Sequence, residues 1–150
     1  QRTADDQLRV PYLGMNFFET DPWGSTSVSP KLNFGTERFL GASSRNHPSA
    51  NRADTGGAYV VYTQDVTRIH KLFWDTYLRV NWNFQMASRS LPSSEQFQLG
   101  GEGSVRGYPE GDYVADTGGF ISTEWNFPAF FKASRAKDGF TLPIGTLSLF

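Results

Sequence analysis

The residue best suited to chemistry in this sequence is Arg106, which lies among glycines in the segment 99–112. Glycine has no Cβ and adopts positive φ, so a segment rich in glycine can fold tightly on itself. A guanidinium has five N–H donors in a fixed fork and stays charged, so one that is shielded from water needs a carboxylate partner. The segment therefore predicts a compact loop that holds one arginine in place. Its candidate residues are Val105, Arg106, Gly107 and Tyr108, with Gly100, Gly101, Gly103 and Gly111 as the loop glycines.

The spacing of the chemically active residue types does not favour a metal site, a cofactor site or a catalytic centre. The glycines lack the strand–turn–helix context of a dinucleotide fingerprint and the lysine of a P-loop. The loop carboxylates are not spaced as in a calcium loop, and neither histidine has a second ligand at metal-binding spacing. No nucleophile elbow is present. The carboxylates and histidines concerned are Glu102, Glu110, Asp112, Asp116, His47 and His70. We therefore expect no metal, no cofactor and no enzymatic activity.

Composition excludes several classes of protein. The chain has 150 residues with 14 basic and 15 acidic side chains, so it lacks the basic surface of a nucleic-acid-binding protein. A mean hydropathy of −0.45, without any apolar run of about 18 residues, excludes a transmembrane helix. The strands of a transmembrane barrel are apolar only at alternate residues and remain compatible with this value. The chain contains no cysteine, so disulfides and thiolate ligands are excluded.

Alternation of apolar and polar residues recurs along the chain and predicts strands. It is clearest in 76–89, where Leu78, Val80, Trp82, Phe84 and Met86 form one face. The predicted strands lie near 8–18, 27–39, 58–69, 76–89, 119–127 and 144–150. Several of them have about 10 to 14 residues, which fits a tilted membrane-spanning strand better than the globular average of about 5 to 6. We therefore predict an all-β fold, with about six up-and-down strands of an antiparallel transmembrane β-barrel.

The connections and the polar faces orient this barrel. The loops at 41–56 and 90–116 are the longest, which is typical of the extracellular side of bacterial barrels. Aromatic residues collect at the opposite ends of the strands, as in an interfacial girdle. These are Phe17, Phe18, Trp23, Phe73, Trp74, Phe127, Phe130, Phe131 and Phe140. The charges predicted to face the lumen are Lys31, Glu37, Arg79, Arg89 and Glu124. Six strands cannot close a barrel, since single-chain barrels begin at about 8 strands. The chain also begins at Gln1 and ends within an alternating segment, so we expect it to be a fragment of one barrel domain.

The glycine-rich segment, read with its flanks, resembles the Val-Arg-Gly-Tyr/Phe loop signature of the outer-membrane polypeptide-transporter and barrel-assembly superfamily. The match extends through residues 95–97, 99–101, 117–119 and 124–128. The resemblance implies the eighth to thirteenth strands of a sixteen-stranded barrel, with 90–116 as the sixth extracellular loop folded back into the lumen. It also implies that Arg106 binds acidic residues of the inner wall. Glu124 is the best candidate, because it lies opposite in parity to the apolar residues of its strand. The second implied partner is an aspartate beyond the end of the chain.

Within that superfamily the chain is similar to two-partner-secretion transporters of the haemolysin secretion/activation type. The resemblance implies export of a haemolysin- or adhesin-type partner polypeptide across the bacterial outer membrane without nucleotide. The implied partners are the secreted polypeptide, the lipid bilayer, the rest of the barrel and periplasmic POTRA domains, with no nucleic acid. Three alternatives stay open at this point. They are a barrel-assembly insertase of the same superfamily, the barrel of a patatin-like surface enzyme and, least favoured, a soluble β-sandwich binding module.

Overall fold

A computed structural model describes residues 9–37, 55, 57–101, 103–128 and 146–149, with the backbone alone for 128 and 146–149. These residues form nine strands and one short 3₁₀ helix, Ser93–Glu95. The strands are β1 Tyr12–Gly14, β2 Phe17–Asp21, β3 Gly24–Gly35, β4 Tyr59–Lys71, β5 Tyr77–Ala87, β6 Phe97–Leu99, β7 Tyr113–Ala115, β8 Gly118–Pro128 and β9 Thr146–Leu149. No helix in this part of the chain has the length and apolar character needed to cross a membrane.

Some predictions fall outside the described residues. These are the end of the strand predicted at 27–39, most of the loop 41–56, the ends of the strand predicted at 144–150, and His47, Glu102, Phe130, Phe131 and Phe140.

The main sheet is an antiparallel meander in which β1 and β2 both pair with β3, and β5 pairs with β8 across the 97–115 hairpin. Its order is β1/β2, β3, β4, β5, β8, β9. The longest ladder joins β3 to β4 over twelve residue pairs, from Gly24 opposite His70 to Gly35 opposite Tyr59. The prediction of an all-β, antiparallel, up-and-down fold is confirmed. Among the described strands the sheet is open, with β1/β2 at one edge and β9 at the other.

The first strand is interrupted because its neighbour contains a proline. β1 and β2 follow one register, with Tyr12 opposite Asn33 and Phe17 opposite Val28. Between them Met15 N–H donates to the carbonyl of Pro30 at 3.1 Å, but Pro30 has no N–H to return the bond. The ladder is therefore broken between β1 and β2. The paired segment ends at Asp21, three residues beyond the predicted strand 8–18.

The long connection 90–116 contains regular structure that its sequence did not predict. β6 and β7 form a separate two-stranded sheet, with Phe97 opposite Ala115 and Leu99 opposite Tyr113. The 3₁₀ helix Ser93–Glu95 precedes it. The glycine-rich segment is therefore the tip of a hairpin.

The two faces of the main sheet differ in chemistry. Directly opposed residues of neighbouring strands lie on the same face. The row through Trp82 consists of Phe17, Val28, Val66, Trp82 and Ile121. The adjacent row, on the other face, consists of Phe18, Ser27, Thr67, Asn81 and Ser122. The first face, which we call the apolar face, is exposed in this chain, with Trp82 41% and Ile121 68% exposed. The second, which we call the polar face, carries the 97–115 hairpin.

A small core lies where the long connections meet the polar face. It consists of Tyr59, Val61 and Leu91, with Val10 and Ala87 packed against it. The ring of Tyr59 occupies the place of a side chain at Gly35, where an added Cβ would overlap it. This core fixes the base of the hairpin on the sheet.

Candidate functional site

The tip of the hairpin is built from consecutive turns that need glycine at defined positions. Tyr108 N–H donates to the carbonyl of Val105 at 3.4 Å, so Arg106 and Gly107 are the two central residues of a β-turn. Gly107 has φ +91°, the conformation that the third position of a type II turn requires. An added Cβ there would meet nothing within 4 Å, so backbone conformation rather than space selects glycine. The turn presents the Arg106 side chain at the end of the hairpin.

The rest of the tip is closed by its own hydrogen bonds. Gly101 N–H donates to the carbonyl of Tyr108 at 2.9 Å. The Ser104 hydroxyl accepts from Gly100 N–H at 2.8 Å and donates to the Gly100 carbonyl at 2.7 Å. Gly100 and Gly111 also have positive φ, at +117° and +68°. The predicted loop glycines therefore include positions where the backbone could not easily accept another residue.

The structure brings Arg106 and Glu124 together. Arg106 Nη2 donates to Glu124 Oε1 at 2.8 Å. The side chain of Glu124 is 16% exposed and that of Arg106 43% exposed, so the contact is shielded mainly on the carboxylate side. Glu124 lies on β8 directly opposite Arg79 of β5, and the two share the polar face. Glu124 thus contacts one guanidinium on the loop, and a second, that of Arg79, belongs to the residue directly opposite it on the wall.

A polar cavity of about 580 Å³ separates the hairpin tip from the wall around this contact. Its lining includes Arg79, Asn81, Ser104, Arg106, Ser122 and Glu124. A second cavity of about 570 Å³ lies under the same hairpin, lined in part by Lys31, Asp65, Asn83, Gln98 and Glu110. The loop therefore rests on the polar face through a few contacts, with space that water can fill between them.

The base of the hairpin is held by Gln85 and Asp116, which sequence reasoning did not identify as anchors. Gln85 is 8% exposed, and its Nε2 donates to the carbonyls of Glu95 at 2.9 Å and Asp116 at 3.3 Å. Asp116 Oδ1 accepts from Leu91 N–H and from Gln96 Nε2, each at 3.1 Å. The sequence carries one indication of this role: Gln85 is a polar residue of the strand that leads into the loop, and it lies on the polar face of that strand.

Glu95 is a partly buried carboxyl at this base. Burial raises the pKa of its carboxyl above the usual value, and the charge of Lys31 partly opposes that rise. The ionised form is therefore disfavoured where the hairpin meets the sheet.

Comparison with known proteins is consistent with this geometry. The model of the family described as haemolysin secretion/activation protein ShlB/FhaC/HecB matches residues 6–145. The chain belongs to this family. A curated relative, the outer membrane transporter CdiB of Dickeya dadantii (strain 3937), is 30% identical over 136 residues. The match covers 85% of this chain and 22% of that protein. No solved structure matches the chain. The membership confirms the predicted family and places the chain in the bacterial outer membrane, so the sheet is part of a transmembrane barrel wall.

In a transmembrane barrel the polar face of the wall is expected to line the lumen. Lys31 and Arg79 lie on it, together with Glu124. Glu37 and Arg89 were predicted to face the lumen, but they lie beyond the ends of β3 and β5. Their positions on the pleat therefore do not follow from strand alternation.

The remaining candidate residues are dispersed. Val105 and Tyr108 are 39% and 53% exposed at the hairpin tip. His70 lies at the far end of β4, stacked on Trp23 with ring centroids 6.5 Å apart. Across the described residues, no three His, Asp or Glu side chains are grouped so that they could hold a metal ion.

Proposed function

We propose that this chain forms part of the wall and the inward-folded loop of a transporter that exports a partner polypeptide through the outer membrane without nucleotide. The single observation that carries the proposal is the Arg106–Glu124 contact at 2.8 Å, because it joins a glycine-turn loop to the polar face of the sheet. Membership of a transporter family, rather than an enzyme family, supports a role in passage and not in catalysis.

The geometry suits a loop that can leave the wall. The Arg106 side chain is already 43% exposed, so water can replace Glu124 as its partner at modest cost. Arg79 stays opposite Glu124 on the wall, so the carboxylate keeps a neighbouring cation when the loop moves. In our proposal the loop shifts to admit an extended chain, and folding of the exported protein outside the cell drives passage.

The surface exposed by that shift suits an unfolded polypeptide. Lys31, Asp65 and Arg79 give the polar face charges of both signs, and Asn81 and Ser122 are neutral hydrogen-bonding groups beside them. A wall with charges of both signs favours no single ion type and offers hydrogen-bonding groups to an extended chain. The proposed substrate is a haemolysin- or adhesin-type polypeptide, captured by periplasmic POTRA domains elsewhere in the protein. The family match favours this role over a barrel-assembly insertase.

Export of the partner polypeptide by the full-length transporter tests the proposal. Arg106→Ala should impair export, because the loop loses the contact that fixes its position on the wall, and should leave the barrel folded, because Arg106 lies in the loop and not in a strand. Arg106→Lys should also be defective, since an ammonium cannot reproduce the guanidinium fork. Arg89→Ala is the matched control, because Arg89 is an exposed arginine just beyond the end of β5. Normal export by Arg106→Ala would contradict the proposed role.

A further inference from the structure

A charged cluster interrupts the apolar face near the short turns of the sheet. It consists of Asp21, Thr26, Arg68 and His70, and we call it the outer cluster. Arg68 lies directly opposite Thr26 and Val80, so its side chain leaves the sheet on the apolar face. An arginine on the lipid-facing side of a barrel costs about 2–4 kcal/mol at the bilayer midplane and about 0–1 kcal/mol near the interfaces. We therefore expect Arg68 to have an acidic partner and to lie near the membrane interface.

The partner within the chain is Asp21, which binds Arg68 through both carboxylate oxygens. Arg68 Nη1 donates to Asp21 Oδ2 at 2.6 Å and to Thr26 Oγ1 at 2.7 Å. Arg68 Nη2 donates to Asp21 Oδ1 at 3.1 Å and lies 3.4 Å from His70 Nδ1. The Asp21 carboxylate also accepts from Trp23 N–H at 2.8 Å. Arg68 and Asp21 stay 26% and 35% exposed, so this preformed group faces outward.

The depth is indicated by aromatic residues beside the cluster. Trp23 lies in the turn between β2 and β3, and Phe73 and Trp74 lie in the turn between β4 and β5. They are 67%, 59% and 83% exposed. Exposed tryptophans at the ends of membrane strands occupy the headgroup level, and short turns face the periplasm. The outer cluster, on the lipid-facing side of the wall, therefore lies at the depth of the headgroups of the periplasmic leaflet.

The charge of the region selects among headgroups. Asp21 and Arg68 balance each other, and exposed Glu19, directly opposite Thr26 on the same face, adds one negative charge. Within the described residues Arg68 Nε has no partner, so one N–H donor remains for an external acceptor. A ligand that fits carries an ammonium for the carboxylates and a phosphate oxygen for Arg68.

We propose that Glu19 and the outer cluster bind the headgroup of phosphatidylethanolamine. Its primary ammonium donates to the Glu19 and Asp21 carboxylates, and its phosphate accepts from Arg68 Nε. Phosphatidylcholine has no N–H to donate, and the net negative charge opposes phosphatidylglycerol. The site requires only the outer-membrane placement and is independent of how the loop moves.

Native mass spectrometry of the full-length transporter, with equimolar phosphatidylethanolamine, phosphatidylcholine and phosphatidylglycerol of identical acyl chains, tests the proposal. Wild-type protein should retain phosphatidylethanolamine about tenfold better than either other lipid, the size expected for a charge-assisted hydrogen bond. Glu19→Gln should lose most of that preference, and Glu19→Lys should shift it towards phosphatidylglycerol. Asp65→Asn is the matched control, because it removes one carboxylate from the polar face of the same wall.

Folding of each variant is checked first by heat-modifiable mobility in a detergent gel. The Glu19 side chain makes no hydrogen bond or ion pair with another described residue, so its replacement leaves the barrel intact. Equal retention of the three lipids by wild-type protein would overturn the proposal. So would a phosphatidylethanolamine preference that Glu19→Gln leaves unchanged, because the preference would then come from another part of the barrel.

Discussion

Removing the charge of Glu124 should release the hairpin tip more than removing the charge of Arg106. In Arg106→Gln, Glu124 keeps Arg79 as a neighbouring cation. In Glu124→Gln, Arg79 and Arg106 line the same cavity without the carboxylate that offsets their charges. The asymmetry follows from the register, which puts Arg79 directly opposite Glu124.

The size of the effect follows from the exposure of the pair. Exposed ion pairs contribute about 0–1 kcal/mol, and breaking a buried pair costs about 3–5 kcal/mol. The Arg106–Glu124 contact is 43% exposed on one side and 16% on the other, so an intermediate value of about 1–2 kcal/mol is expected. That range corresponds to about 5–30-fold more frequent opening of the loop. We expect Arg106→Gln near the lower limit and Glu124→Gln near the upper.

Hydrogen exchange of residues 95–116 in the full-length transporter measures this opening, amide by amide. The two single variants and the double variant form a cycle whose coupling energy isolates the pair. Asp112→Asn is the control, since Asp112 is an exposed carboxylate of the same loop. Unchanged protection in both single variants would show that the ion pair does not hold the loop. A larger effect from Arg106→Gln than from Glu124→Gln would show that Arg79 does not produce the asymmetry.

Three further predictions concern the turn, the hairpin base and the apolar face. Gly107→Ala should loosen the tip by about 1 kcal/mol because of the positive φ of Gly107, whereas Gly103→Ala, at a position without positive φ, should be nearly neutral in the same exchange experiment. Burial raises the pKa of Glu95, so the protection of hairpin amides from exchange should be greatest below the usual carboxyl pKa of 4.5. It should fall as pH rises through the raised pKa, and Glu95→Gln should abolish this pH dependence. Trp82→Arg should destabilise the full-length barrel by about 2–4 kcal/mol in denaturant titrations in lipid, while Asn81→Arg on the polar face should have little effect.

Alternation along β5 and β8 was enough to predict the two faces and to assign Glu124 to the polar one. The glycine pattern was enough to predict a tight turn at Arg106, because only glycine readily takes the φ of Gly107. These features can be predicted locally because each strand of the wall has one apolar side and one side in water, which imposes alternation on its sequence.

Other features depend on contacts that local patterns do not encode. β6 and β7 have three residues each, and their hairpin contacts the sheet through the Phe97–Phe120 ring pair and the hydrogen bonds of Gln85. The gap between β1 and β2 arises from Pro30 on the neighbouring strand. Arg68 breaks the alternation of β4. Its place on the apolar face is explained by its ion pair with Asp21, which is 47 residues away in sequence.

Tethering the loop to the wall shows whether the loop must move for export. Val105 of the loop and Ser122 of β8 line the same cavity, and replacing both with cysteine leaves Arg106 and Glu124 in place. This chain has no cysteine of its own, so the pair can be joined selectively by a short, reducible bifunctional thiol reagent once any cysteines elsewhere in the transporter are replaced. If the loop must leave the wall, cross-linked Val105→Cys/Ser122→Cys protein should stop exporting its partner polypeptide and recover on reduction, while each single variant stays active. Full export with the cross-link intact would show that the loop does not leave the wall during passage.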